Sequence, residues 1–105
     1  MSFLALLEID LHFPEGSDLK GKRKELQSVK AGLQRRFGAS VAETDHHDLW
    51  QRSSLTAAVV GREQCDVAKQ ADAAERWLVG RYPDGASVRR LLVSADDLRD
   101  GYDAV

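Results

Sequence analysis

Seven cations and one acid occupy the segment from Lys20 to Arg36. The cations are Lys20, Lys22, Arg23, Lys24, Lys30, Arg35 and Arg36; the acid is Glu25. Long cations repeated along one element suit a polyanion, because each one that meets a phosphate releases a condensed counterion. A second cluster lies in "AETDHHDLWQRSS", residues 42–54, where Asp45, His46, His47 and Asp48 run together ahead of Trp50 and Arg52. Imidazole and carboxylate are metal ligands, but neighbours in a chain point in different directions, and structural zinc sites draw on spaced ligands that usually include cysteine. No metal site and no cofactor are expected there. The stretch reads better as an anchored corner. Asp48 can cap a turn, Trp50 can bury its ring at the sheet rim, and Arg52 can pair with Glu43 or Asp45 across two strands. Trp50 and Arg52 are also the residue types that carry partner surfaces.

Catalytic chemistry has little footing. Ser53 and Ser54 enter a strand without a nucleophile elbow. Cys65 has Glu63 and Asp66 close by, which disfavours a thiolate. No glycine-rich phosphate loop is present. The expectation is a protein that is not an enzyme.

The chain of 105 residues fits one domain. It is 43% hydrophobic and 30% charged, ordinary for a soluble globular protein. No apolar run reaches the length of a membrane span, and "MSFLALLEID" lacks a basic n-region, so it does not read as a signal peptide. The single cysteine excludes an internal disulfide and points to a reducing, cytoplasmic setting. The formal net charge is −2, which by itself announces no nucleic acid. Its distribution says more, since the segment 20–36 carries +6 and the remainder −8, much of it in Asp96, Asp97, Asp100 and Asp103.

The elements that must position these groups follow from periodicity. "FLALLEIDLHF" (3–13) alternates as a strand does, with Phe3, Ala5, Leu7, Ile9 and Leu11 on one face. Pro14, Gly16 and Ser17 break it. Ser17 or Asp18 can cap a helix over 19–37. Leu19, Leu26, Val29, Leu33 and Phe37 form that helix's apolar stripe, and Gly38 ends it. Gly32 interrupts it at a cost of roughly 1 kcal/mol with no reason visible in the sequence. Residues 40–45 read as an edge strand and 53–61, apolar on both faces, as a central one. A second helix over 63–81 has Val67, Ala71, Ala74 and Leu78 on its inner stripe. "YPDG" is a turn, and 87–95 is the last strand. Residues 97–105 have little to bury and are expected to fray.

The order is β-α-β-β-α-β. It predicts an α+β, ferredoxin-like sandwich in one domain over residues 1–96: a four-stranded antiparallel sheet, both helices on one face, the first and third strands central. Leu4, Leu6, Ala58 and Val60 then lie on the uncovered face, which predicts a homodimer or larger assembly. On the first helix, Lys20, Arg23, Lys24 and Arg35 share an outward sector, and Lys22, Lys30 and Arg36 flank the apolar stripe. The basic run spans roughly 24 Å.

Three stretches, "LKGKRK" (19–24), "FGASVAETD" (37–45) and "HDLWQRSSLTAAVV" (47–60), resemble in order and spacing the YlxP-like family of small bacterial proteins. The resemblance covers residues 3–95. It implies a ferredoxin-like fold and a place near the ribosome or RNA, with no established activity. Two departures are Asp18, where serine is frequent, and the acidic extension after Ala95.

Together these readings favour an accessory protein of translation that binds RNA or the ribosome through Lys20, Lys22, Arg23, Lys24, Lys30, Arg35 and Arg36. Contact directed at the backbone is expected, because "SLTAAVV" offers no aromatic for stacking on the sheet. The alternative is a homo-oligomeric protein-interaction module without nucleic acid. A solvated basic face, or one paired with the acidic tail, also stays open.

Overall fold

A computed structural model of the chain describes residues 1–13, 18–45 and 51–103. The described elements are β1 (Phe3–His12), α1 (Leu19–Phe37), β2 (Ser40–Asp45), β3 (Arg52–Gly61), α2 (Gln64–Arg81), β4 (Ala86–Ser94) and α3 (Ala95–Asp103). The strands form one antiparallel sheet in the order β2-β3-β1-β4. The two most apolar strands are therefore the central pair, as the α+β, ferredoxin-like pattern requires.

Strand alternation decides what each face of the sheet does. Ala5, Leu7, Ile9 and Leu11 of β1 are buried with Leu55, Ala57 and Val59 of β3. Against them pack Leu26, Val29 and Leu33 of α1 and Val67, Ala71, Ala74 and Leu78 of α2. Each large aliphatic side chain so buried contributes about 1.5–3 kcal/mol. The opposite face has two halves. Leu4 stands beside Val60 and Val93, and Leu6 beside Ala58 and Leu91. Further along, Glu8, Asp10 and His12 face Thr56, Ser54 and Arg52.

The ends of α1 follow local chemistry. Asp18 is extended, and its carboxylate accepts from the Gly21 backbone N–H at 2.7 Å, satisfying one orphan donor of the first turn. Gly38 closes the helix at φ 62°, the left-handed conformation that costs glycine least.

Two expectations are corrected, and the acidic tail gains an element. Lys22, rather than Leu19, opens the inner stripe of α1: Lys22 is 1% exposed and Leu19 43%. The stripe runs 22, 26, 29, 33, in steps of four and three; residue 19 falls on the same side by spacing but is the first residue of the helix. Residues 97–103 are placed in α3. Ser94 Oγ accepts from the Asp97 N–H and Asp97 Oδ2 from the Ser94 N–H, both at 3.0 Å. This reciprocal cap satisfies two backbone donors at once and holds the Asp97 carboxyl below its usual range. The Ala95 N–H also donates to the Ser2 carbonyl at 2.9 Å, tying α3 to the start of the chain. Arg52, finally, pairs with Asp10 of β1 at 3.5 Å. Residue 52 lies on the open face, opposite His12, whereas Glu43 opposes Leu55 on the helix-covered face, where Ser53 donates to it at 3.5 Å.

Candidate nucleic-acid interface

The basic residues of α1 divide by burial. Lys20, Arg23, Lys24, Arg35 and Arg36 are exposed and Lys30 is intermediate. Lys22 is enclosed and has an intramolecular partner, so it leaves the set that can meet a polyanion. Among the described residues, Lys20, Arg23, Lys24, Lys30 and Arg35 take part in no ion pair. Pairing with the acidic tail is also not seen among the described residues. There Arg99 donates to Asp96 within α3 at 2.6 Å, and Asp97 is committed to its cap.

The one acid of α1 is neutralised from the neighbouring helix. Arg81, the last residue of α2, donates from Nη2 to Glu25 Oε1 at 3.0 Å and to Ser28 Oγ at 2.9 Å. The Tyr82 hydroxyl donates to the same Glu25 oxygen. That bond, with the Arg81 guanidinium after it, holds the Glu25 carboxyl below the usual carboxylate range. Burial, reinforced by Glu25, pushes the Tyr82 hydroxyl up to about 12. Glu25 thus fastens α1 to the end of α2 and subtracts nothing from the field on the outward side of α1.

Where α1 and α2 run side by side, Ser28, Gly32, Arg35, Arg36, Trp77 and Arg81 line an open groove of about 360 Å³. Trp77 is its aromatic wall. Phe37 meets the indole edge-on, with ring centroids 6.0 Å apart. The Arg36 and Arg81 guanidinium carbons lie 5.4 Å and 5.6 Å from the ring centroid, within range of the cation–π attraction. Gly32 is what admits the ring. A Cβ built there would stand 2.4 Å from Cη2 and 2.6 Å from Cζ2 of Trp77, so the mid-helix glycine is a packing device.

Neither Trp77 nor Arg81 emerged from sequence reasoning. An unexplained glycine inside a helix that otherwise propagates well was the available signal for a close approach. Trp77 and Arg81, one turn apart on α2, were the side chains able to make it. Of the suggested partner surface, Arg52 is half-exposed and held by Asp10. Trp50 lies outside the described residues, as do His46, His47 and Asp48. Among the described residues, no group of three or more histidine, cysteine, aspartate or glutamate side chains is placed to hold a metal. No helix among them is long and apolar enough to cross a membrane.

The fold is shared with a solved structure described as "De novo designed protein Foldit4". The TM-score is 0.62 at 6% identity, with 90% of this chain and 98% of that one covered. At that identity the likeness speaks for the fold alone, and an architecture obtained by design carries no function in itself. No curated protein matches the sequence. Residues 4–89 match the family described as "Protein of unknown function (DUF503)", and the chain belongs to that family.

Proposed function

We propose that this protein is a non-enzymatic, cytoplasmic accessory factor of translation that binds RNA, free or within the ribosome, along the outer surface of α1. The observation that carries the reading is the state of Lys20, Arg23, Lys24 and Arg35: exposed, on one side of one helix, and without acid partners among the described residues. Elsewhere in the chain, Arg52, Arg62, Arg81, Arg90 and Arg99 each have one; Lys69, Arg76 and Arg89 are exposed without one among the described residues, but form no comparable run on one helix face. A solvated face usually mixes signs, and this one does not. The resemblance to the YlxP-like family supports the same reading. A fluorescence titration with a structured RNA at several salt concentrations tests it. Affinity should fall steeply with salt, and the quadruple reversal K20E/R23E/K24E/R35E should abolish binding. Salt-insensitive binding, or a reversal variant that binds as well as the native protein, contradicts the reading.

A second reading is favoured by a separate observation. On the open sheet face Val60 is 74% exposed and Leu91 53%, beside Leu4 and Leu6 in the cross-strand register. A second copy of this chain, seated on that apolar half, would make the protein a homo-oligomeric interaction module. Such an assembly leaves α1 uncovered, since α1 packs on the other side of the sheet, so self-association and RNA binding are compatible. The module reading alone requires that no RNA binds. Small-angle scattering gives the particle mass. A dimer that V60E/L91E converts to monomer supports the assembly, and a native monomer ends it.

A further inference from the structure

The groove between α1 and α2 has two kinds of wall, and a backbone-binding strip needs only one of them. Cations suffice to hold phosphates. Here an indole, partly buried on Gly32 and Phe37, keeps surface toward a groove rimmed by guanidinium groups. Building it required a glycine in the middle of a 19-residue helix, a local cost that a purely electrostatic surface does not require. The arginines around the ring are not equivalent. Arg81 is fixed by Glu25 and Ser28. Arg36 is exposed, and among the described residues its contact is with the ring itself. Arg35, beside it, is exposed and takes part in no ion pair there. One guanidinium over the indole is therefore a permanent wall and the other a displaceable cover.

Resting on the RNA reading above, we infer that this groove takes an unpaired nucleobase of a single-stranded segment, stacked on Trp77. Arg36 lifts off the ring and becomes the outer leaf of the stack, and Arg35 meets the adjoining phosphate. Every base has a π-face, so the contact is tolerant of sequence and selective for unpaired strands over duplex. The strip along Lys20, Arg23 and Lys24 then carries the continuing backbone. Aromatic stacking thus returns to a chain whose sheet has no platform for it, now on the helical side.

The test compares two strands of equal charge: a ten-residue oligoadenylate and a ten-residue abasic ribose-phosphate strand. Affinities are read by anisotropy, and the full chain, labelled with 5-fluorotryptophan, is followed by fluorine NMR. The protein has two tryptophans, Trp50 and Trp77, and W77F assigns the resonances. The oligoadenylate should bind roughly ten-fold more tightly than the abasic strand, the effect of one stacked base. It should shift the Trp77 resonance, and the abasic strand should not. W77L should bring the two affinities together. Equal affinities in the native protein with an unmoved Trp77 resonance, while binding stays salt-dependent, overturn this inference and leave the RNA reading standing. A W77L variant that loses both strands alike also overturns it, because Trp77 is then only a support. No binding of either strand at low salt overturns this inference, and no binding of a structured RNA in the same buffer defeats the RNA reading itself. If W77L does not fold, the native comparison and the resonance shift decide.

Discussion

Arg90 and the arginines of α1 present the same functional group in opposite circumstances. Arg90, on β4, reaches across to α2, donates to Asp72 and lies 3.9 Å from Glu75. Its charge is spent inside the molecule. On α1, Arg23 and Arg35 look outward with Lys20 and Lys24, and the one acid of that helix is held by Arg81 and Tyr82. Both carry cations, and among the described residues it is along α1 that several stand together on one helix face without a carboxylate partner. The lesson is that the number of charges says less about binding than whether each cation already has its carboxylate.

That contrast can be broken by mutation, and the largest effect should come from α1. Reversing Lys20, Arg23, Lys24 and Arg35 together takes away four cations that would meet phosphates and adds repulsion, so RNA affinity should drop by about 100-fold or more in a low-salt titration. The next effect concerns Gly32. Replacing glycine by alanine in a helix ordinarily stabilises it by roughly 0.5–1 kcal/mol. Here the added methyl runs into Trp77, and overpacking should reverse the sign, costing about 1–3 kcal/mol in urea unfolding. In a W77A background the same change should become stabilising, and a double-mutant cycle isolates that coupling. A Gly32→Ala gain in the native background would mean the indole is not seated on residue 32.

Smaller effects sharpen the account of how α1 is held. Tyr82→Phe removes the donor to Glu25 and should cost about 1 kcal/mol at neutral pH, seen in urea or thermal unfolding. The Tyr82 hydroxyl is raised in the folded state to about 12. Its contribution is therefore fully present below the ordinary tyrosine value of about 10 and is lost as pH rises toward 12. Ultraviolet titration should show one tyrosine ionising late, with unfolding following it, and the late component should vanish in Tyr82→Phe. Arg90→Ala should cost no more than about 1 kcal/mol, as exposed pairs do, and leave RNA affinity unchanged. The smallest effect is at α3. Ser94→Ala should speed amide exchange over residues 95–103 and leave the sheet core unaltered. The depressed Asp97 carboxyl makes the cap present above the ordinary aspartate range and lost as pH falls below it, so the same segment should fray first in acid.

Much of the fold was legible because it rests on periodicity. Alternation in 3–13, the breaks at Pro14 and Gly16, and the stripe of Val67, Ala71, Ala74 and Leu78 each had one sensible reading, and together they fixed the order of elements. α3 was also legible, since Ser94 and Asp97 stand three apart as a capping pair does. The acidic composition drew attention from that spacing. Lys22 was not legible. Its spacing from Leu26 puts it on the stripe, but its charge argues for solvent, and only the packed helix shows that its stem is buried. The Trp77 groove was illegible for a different reason. It depends on two helices meeting at Gly32, more than forty residues away in the chain from the ring it admits, and periodicity within one helix carries no information about such a meeting.

The central claim is that the outward cations of α1 remain available to polyanions while Arg90, at the α2–β4 edge, is already paired. The salt dependence of RNA affinity measures this directly when it is taken for the native chain, the quadruple α1 reversal, and an Arg90→Glu control. Every phosphate that goes unneutralised should lower the logarithmic salt slope by roughly 0.7–0.9. The α1 variant should be nearly flat, and the control should keep the native slope. A control that flattens as much as the α1 variant, or a native protein with no slope at all, contradicts the account.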